Sequence, residues 1–217
     1  MRLNLGCGSI RPVGWVNVDC SWNALAQKIP GVGPTFAKYV LKTQKYDSDN
    51  FTYMNLNRKW PYADGAIEVV YASHFFEHLS ISKAKLLLQE AFRCLKPEGV
   101  IRLIVPDLYQ VAKNYVEAIE AGERKASETL LYVMNLHQEG AYPAGDGFRH
   151  IIGSLQRYPH QHKYMYDRFS LGDMLQAHGF RDVVSSSYGA SHYLDGAVKD
   201  VEYSPEGIAS IYLEAKK

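Results

Sequence analysis

The sequence predicts a three-layer α/β domain built on a mostly parallel sheet. Short apolar runs rich in β-branched residues alternate along the chain with stretches of helical period. The two strongest runs, AIEVVYA at 66–72 and VIRLIV at 100–105, are nearly continuous, as strands covered on both faces are. The chain has 217 residues, 47% of them hydrophobic, with 17 Gly and 9 Pro. That suffices for one full core and excludes a disordered or fibrous protein.

The elements follow in order. Residues 2–5 (RLNL) and 15–19 (WVNVD) form the first two strands. A short third strand ends near Asn55, and 66–72 is the fourth. Ala84, Leu87, Leu88, Ala91 and Leu95 then recur at helical spacing. Ser82 is the expected cap, and Pro97 with Gly99 stops the helix. After the strand at 100–105, Leu108, Val111, Ala112, Tyr115, Val116 and Ile119 trace a helix face. A further helix follows Ser170 and ends at Gly179, and strands close the chain near 181–187 and 208–215. Two stretches interrupt the alternation: an insertion at 21–50 and a Tyr- and His-rich segment at 122–168. Long excursions of this kind read as lids or binding loops, and 122–168 is the expected acceptor segment. The whole chain, 1–217, is expected to be one domain.

Charge narrows the function. The chain carries 24 Lys+Arg against 23 Asp+Glu, a net charge of +1, which does not suit a protein that coats nucleic acid. No run approaches the ~18 apolar residues of a membrane span. Cys7, Cys20 and Cys94 are widely spaced and form no C-x-x-C, so neither a disulfide framework nor a zinc ribbon is expected. The first apolar stretch is too short for a signal-peptide core. A cytoplasmic protein is the expectation. Nothing in the sequence sets an oligomeric state.

Leu3-Asn4-Leu5-Gly6-Cys7-Gly8 is a strand running into a G-x-G turn. Such glycines let the backbone approach a ligand, although a lone G-x-G also serves as a tight strand exit. Val16-Asn17-Val18 ends in Asp19, and a carboxylate there can accept both hydroxyl protons of a ribose. Asn55-Leu56, the turn around Trp60–Gly65 and the fourth strand follow, and then Leu95 through Asp107.

Together these residues resemble the class I S-adenosylmethionine (SAM)-dependent methyltransferases. The similarity is to a subgroup with an LNLGCG…GWVNVD opening, an SHxxEHL segment (73–79) and a VPDL segment (105–108). It extends to HKYMYD at 162–167, AHGF at 177–180 and SIYLEAKK at 210–217. It covers the chain apart from 21–50 and parts of 122–160. The resemblance implies a Rossmann-like fold with a seven-stranded sheet and SAM as cofactor. It places the backbone of Leu5, Gly6 and Gly8 at the methionine part and Asp19 at the ribose. Asn55 and Leu56 then frame the adenine, and Ala72, Ser73 and His74 lie under the sulfonium. Many members sit among bacterial polysaccharide-assembly proteins, which implies a sugar, glycan or other small hydroxyl acceptor. This chain departs from the pattern with Asn4 for an acidic residue, Asn55 for Asp and Glu98 for Gly. Its link from Gly8 to the second strand is too short for a crossover helix.

A hydroxyl acceptor needs a base or a metal. Metal-free candidates are His74, Asp107 and His162. Asp107 equally suits a helix cap before Leu108, and His162 a packed histidine. The alternative is a divalent metal on His74, Glu77 and His78, which share a face if helical, with His160 or His162 as a further ligand. That pattern is similar to the E-x-x-E-H segment of small-RNA 3′-end methyltransferases. It also matches inverted zinc proteases, whose helix does not fit a strand exit here. Residues 149–168 hold Arg149, Arg157, Lys163 and Arg168 against Asp167, interleaved with Tyr158, Tyr164 and Tyr166. This suits an anionic acceptor such as a nucleotide-linked or acidic sugar, or an ordinary solvated loop. Nucleic acid is not the expected acceptor. Three rivals remain: a non-catalytic scaffold or binding protein of the same fold, a metal-assisted nucleic-acid methyltransferase, and a nicotinamide oxidoreductase, against which the third glycine of G-x-G-x-x-G is missing.

Overall fold

The computed structural model describes residues 1–21, 24–25, 50–136, 161–194, 198, 201–202 and 208–217. Most of the predicted insertion lies outside the described residues, as do Arg149, Arg157, Tyr158 and His160.

Seven strands form one sheet: β1 (Arg2–Leu5), β2 (Val16–Asp19), β3 (Thr52–Tyr53), β4 (Ile67–Ser73), β5 (Leu95–Pro106), β6 (Arg181–Ser185) and β7 (Ser210–Lys216). Their order is β3-β2-β1-β4-β5-β7-β6. The pairs from β3 to β5 are parallel, and β7 runs antiparallel to both β5 and β6. This is the Rossmann-like order of the predicted fold. Strand order reverses between β1 and β4, the place where ligands of open α/β sheets bind beyond the carboxyl ends of the strands. Leu3, Leu5, Val18, Val70, Ala72, Ile101, Leu103 and Val105 are all fully buried, as the continuous apolar runs required.

Helices α1 (Ile81–Cys94), α2 (Leu108–Glu120), α3 (Ala126–Val133) and α4 (Arg168–Ala177) are described around the sheet. Several boundaries differ from expectation. Ser80, not Ser82, holds the cap position of α1, and it makes no side-chain cap bond. Helix α1 stops at Cys94, before the Pro97 and Gly99 breakers, because Leu95 already pairs with Ile67 in the sheet. Helix α4 begins at Arg168, with Asp167 as its cap and Ser170 inside a capping box. The face predicted for α2 is only partly core. Val111 is buried, but Val116 and Ile119 are 50% and 51% exposed. Among the described residues no helix is long and apolar enough to cross a membrane.

A buried ion cluster braces the sheet between β5 and β7. Arg102 bonds to Glu202, Glu214 and Ser186, and its Nη2 donates to the Ser187 carbonyl at 3.0 Å. The remaining carboxylate oxygens accept backbone N–H groups from Gly189 and His192. One cation thus holds two buried acids whose other lone pairs are satisfied.

Candidate functional site

The candidate site begins at the glycine turn. Gly6 has φ +65°, and a Cβ there would lie 2.4 Å from Phe75 Cγ. Gly8 has φ +48°, but a Cβ on it would meet nothing within 4 Å. Gly6 is therefore glycine for packing as well as backbone conformation, whereas Gly8 faces open space among the described residues. The turn is held from several sides. Cys7 N donates to Val18 O at 3.0 Å. Arg11 Nε and Nη2 both donate to Gly8 O, at 3.0 and 2.9 Å. Asn4 is 3% exposed, and its Nδ2 donates to Ile10 O and Asn17 Oδ1 at 2.9 and 3.0 Å. Asn4 stands where the resembled family has an acidic residue. It is a brace beneath the loop, and both its partners are acceptors, which an amide can serve and a carboxylate cannot.

Asp19 ends β2 and is 6% exposed. Its Oδ1 accepts from Ser21 N at 2.7 Å. Burial, then the charge of Asp19, pushes the Cys7 thiol up to about 12 and that of Cys20 up to about 11. Both stay protonated and inert near neutral pH. Asn55 is exposed, and its Oδ1 accepts from Asn57 N and Nδ2 at 3.0 and 3.2 Å, so it shapes its own turn. Leu56 beside it is buried. Leu5 and Ala72 are buried at the ends of β1 and β4, and Ser73 is half-buried.

Beyond Ser73 the chain does not enter an α-helix directly. His74 has φ +47°, and a single 3-10 turn, Phe76–His78, follows. The expected helical face of His74, Glu77 and His78 is therefore absent. Glu77 is 0% exposed, and among the described residues none donates a hydrogen bond to either of its carboxylate oxygens. Three imidazoles surround its Oε1: His74 Nδ1 at 3.5 Å, His162 Nε2 at 3.9 Å and His78 Nε2 at 4.0 Å. His74 Nε2 lies 3.2 Å from Ser210 Oγ on β7.

His162 reaches this point through main-chain bonds. Lys163 N and Tyr164 N donate to Glu77 O at 2.8 and 3.2 Å, and Lys163 Nζ donates to His78 O at 3.0 Å. Burial lowers the His162 pKa, against the opposing pull of the Glu77 charge, and so favours the neutral ring. Burial also lowers the pKa of Lys163. The ligand atoms of Glu77, His78 and His162 lie within 4.8 Å of one another, so the metal-capable trio includes His162 in place of His74.

Asp107 serves the cap. Its Oδ1 accepts from Tyr109 N and Gln110 N at 2.9 and 3.4 Å. Tyr166 is fully buried and packs on Phe76 with ring centres 5.4 Å apart, so it belongs to the core. Arg168 lies over the ring of its neighbour Phe169, 4.6 Å from the centroid, and Tyr164 is partly exposed. Sequence reasoning passed over Arg11, Phe75 and Ser210. Arg11 had a signal, being the lone cation between Gly6 and Asp19. Phe75 acts by packing on Gly6 and Ser210 by its contact with His74 across the fold, which neither residue signals in sequence.

A family model described as a methyltransferase domain matches residues 10–185. No curated protein matches the chain. Among solved structures, a SAM-dependent methyltransferase from Archaeoglobus fulgidus is 16% identical, with a TM-score of 0.49, over 99% of this chain and 85% of that one. A SAM-dependent methyltransferase from Methanosarcina mazei is 14% identical, with a TM-score of 0.46, over 99% and 91%. The CurJ carbon methyltransferase is 13% identical, with a TM-score of 0.46, and the chain spans 47% of it. With the family model covering residues 10–185 and the strand order of the fold, the chain belongs to the methyltransferase-domain family.

Proposed function

We propose that the chain transfers the methyl group of S-adenosylmethionine to a hydroxyl oxygen of a sugar or glycan. The observation that carries the donor site is the pairing of a buried carboxylate, Asp19, with the open space at Gly8. Both stand at the carboxyl ends of adjacent strands, where ligands of this fold class bind. Asp19 accepts the ribose hydroxyls, Leu56 supports the adenine, and Ala72, Ser73 and His74 face the sulfonium.

The chemistry is an in-line displacement. The acceptor oxygen forms a bond to the methyl carbon while the carbon–sulfur bond breaks. The sulfur keeps the electron pair and leaves as the neutral thioether of S-adenosylhomocysteine. The hydroxyl proton goes to the imidazole of His74. The carboxylate of Glu77, 3.5 Å from His74 Nδ1, places a negative charge near the resulting imidazolium. Lys163, Arg168 and Tyr164 contribute to an anionic acceptor's surroundings. Cys7, Cys20 and Cys94 are unpaired thiols, which suits the reducing cytoplasm.

The test is incubation with SAM and a panel of nucleotide-linked and acidic sugars, read by mass spectrometry. The expected result is a sugar heavier by one methylene, formed in equal amount with S-adenosylhomocysteine. Methylation of a carbon or nitrogen acceptor, with every hydroxyl acceptor inert, contradicts the oxygen assignment.

A further inference from the structure

We propose that Glu77, His78 and His162 form a binding site for one divalent transition-metal ion of the zinc class. The first argument is the state of Glu77. A carboxylate that is fully buried and accepts no hydrogen bond from the described residues is an exception that calls for a cation or a proton. The surrounding imidazole nitrogens stand 3.5 to 4.0 Å from Oε1, beyond good hydrogen-bond reach. They approach it without bonding to it.

The second argument is the tautomer of His78. Its Nδ1 lies 3.2 Å from the carbonyl oxygen of Gln161, which can only accept. In the neutral ring Nδ1 therefore carries the proton, and Nε2 presents a lone pair toward the Glu77 oxygen, 4.0 Å away. Two acceptors facing each other are held together by a positive ion between them. An imidazole that gives its second N–H to a backbone carbonyl is also the usual arrangement of a metal-ligating histidine. His162 contributes Nε2, while its Nδ1 is buried with no partner.

The third argument is the frame. The two segments that supply the trio are tied by the Lys163 and Tyr164 amides on Glu77 O and by Lys163 Nζ on His78 O. The ligand atoms lie within 4.8 Å of one another. Ligands of a tetrahedral zinc stand about 3.3 Å apart, so side-chain adjustment closes the site without moving the backbone bonds. Two imidazoles and one carboxylate suit zinc, cobalt or manganese better than calcium, which takes oxygen ligands alone. Three protein ligands leave a position open, as in catalytic sites. The ion then sits beside His74. Given the methyltransferase reading above, the ion would hold the acceptor oxygen and make its hydroxyl more acidic, and Glu77 would then serve the ion rather than the His74 imidazolium. Ion binding itself does not depend on that reading.

The experiment uses the full chain, stripped with chelator and dialysed. Zinc is titrated by calorimetry, and cobalt by its visible absorption. One ion per chain is expected, with zinc displacing cobalt. Glu77→Gln and His162→Gln each remove a direct ligand and should weaken zinc binding by more than the about tenfold that loss of an outer-shell partner costs, and His178→Gln should not weaken it. Circular dichroism checks that the variants fold, and S-adenosylhomocysteine is titrated in parallel. No zinc bound by the wild-type chain overturns the site even if no variant folds, and so does equal binding by all variants. Zinc binding lost in the two site variants, with no response to S-adenosylhomocysteine in the wild type, supports the ion site and overturns the donor reading alone.

Discussion

Asn4 donates to the Ile10 carbonyl and to Asn17 Oδ1 from a buried position. An aspartate there would present a charged acceptor to two acceptors. Asn4→Asp should therefore cost at least about 2–3 kcal/mol, seen as a lower denaturant midpoint. An equally stable variant would contradict the brace. The two glycines of the turn separate by the same reasoning. Gly6→Ala meets Phe75 and a left-handed backbone together, and should unfold the chain or destabilise it severely. Gly8→Ala meets only the backbone cost of ~1–2 kcal/mol. It should fold, and it should lose affinity for S-adenosylhomocysteine, because its methyl group enters the ligand's space. If both variants behave alike by thermal melting, the assignment of their roles fails. Asp19 and the G-x-G pair were legible as a strand end and a left-handed turn. The role of Asn4 was not, since its partners are loop carbonyls that only the fold brings near.

Among the elements, α4 shows a cap that periodicity misplaced. Asp167 Oδ1 accepts from Phe169 N and Ser170 N at 2.9 and 2.8 Å, and Ser170 Oγ accepts from Asp167 N at 3.0 Å. Asp167→Ala should cost ~1 kcal/mol. The Ser170 amide holds the Asp167 carboxyl below the usual carboxylate range. A carboxyl lowered on folding stabilises above its unfolded value, and that contribution is lost as pH falls through the folded value. The alanine variant should thus lose the difference from wild type in strong acid, as read by denaturant melts across pH. Convergence of the two curves at neutral pH would contradict this. The early end of α1 has a related cause. Sheet pairing at Leu95 overrides the helical pattern, and Glu98 takes φ +63° where the resembled family has glycine. Its side chain pairs with Arg181 and with Lys216, tying the start of β5 to β6 and β7. The apolar stripe of α2 promised more burial than it delivers at Val116 and Ile119, because hydropathy marks a face without saying what covers it.

At the scale of the whole molecule, the sheet was legible because strands buried on both faces leave unbroken apolar runs. The reversal between β1 and β4 is where ligands of such sheets bind, and so where the proposed donor would lie. The histidine cluster was legible in its members and not in its geometry. His162 was one of two further ligands the sequence offered, and what brings it to Glu77 is a pair of main-chain hydrogen bonds from 163 and 164 that leave no side-chain pattern. The donor crevice is the claim on which the function rests. Calorimetric titration of S-adenosylhomocysteine into the wild-type chain and the Asp19→Ala variant tests it most directly. The account predicts one site in the wild type and an affinity reduced about tenfold or more in a variant that still folds. Equal affinity in both, or no binding by the wild type, would contradict it.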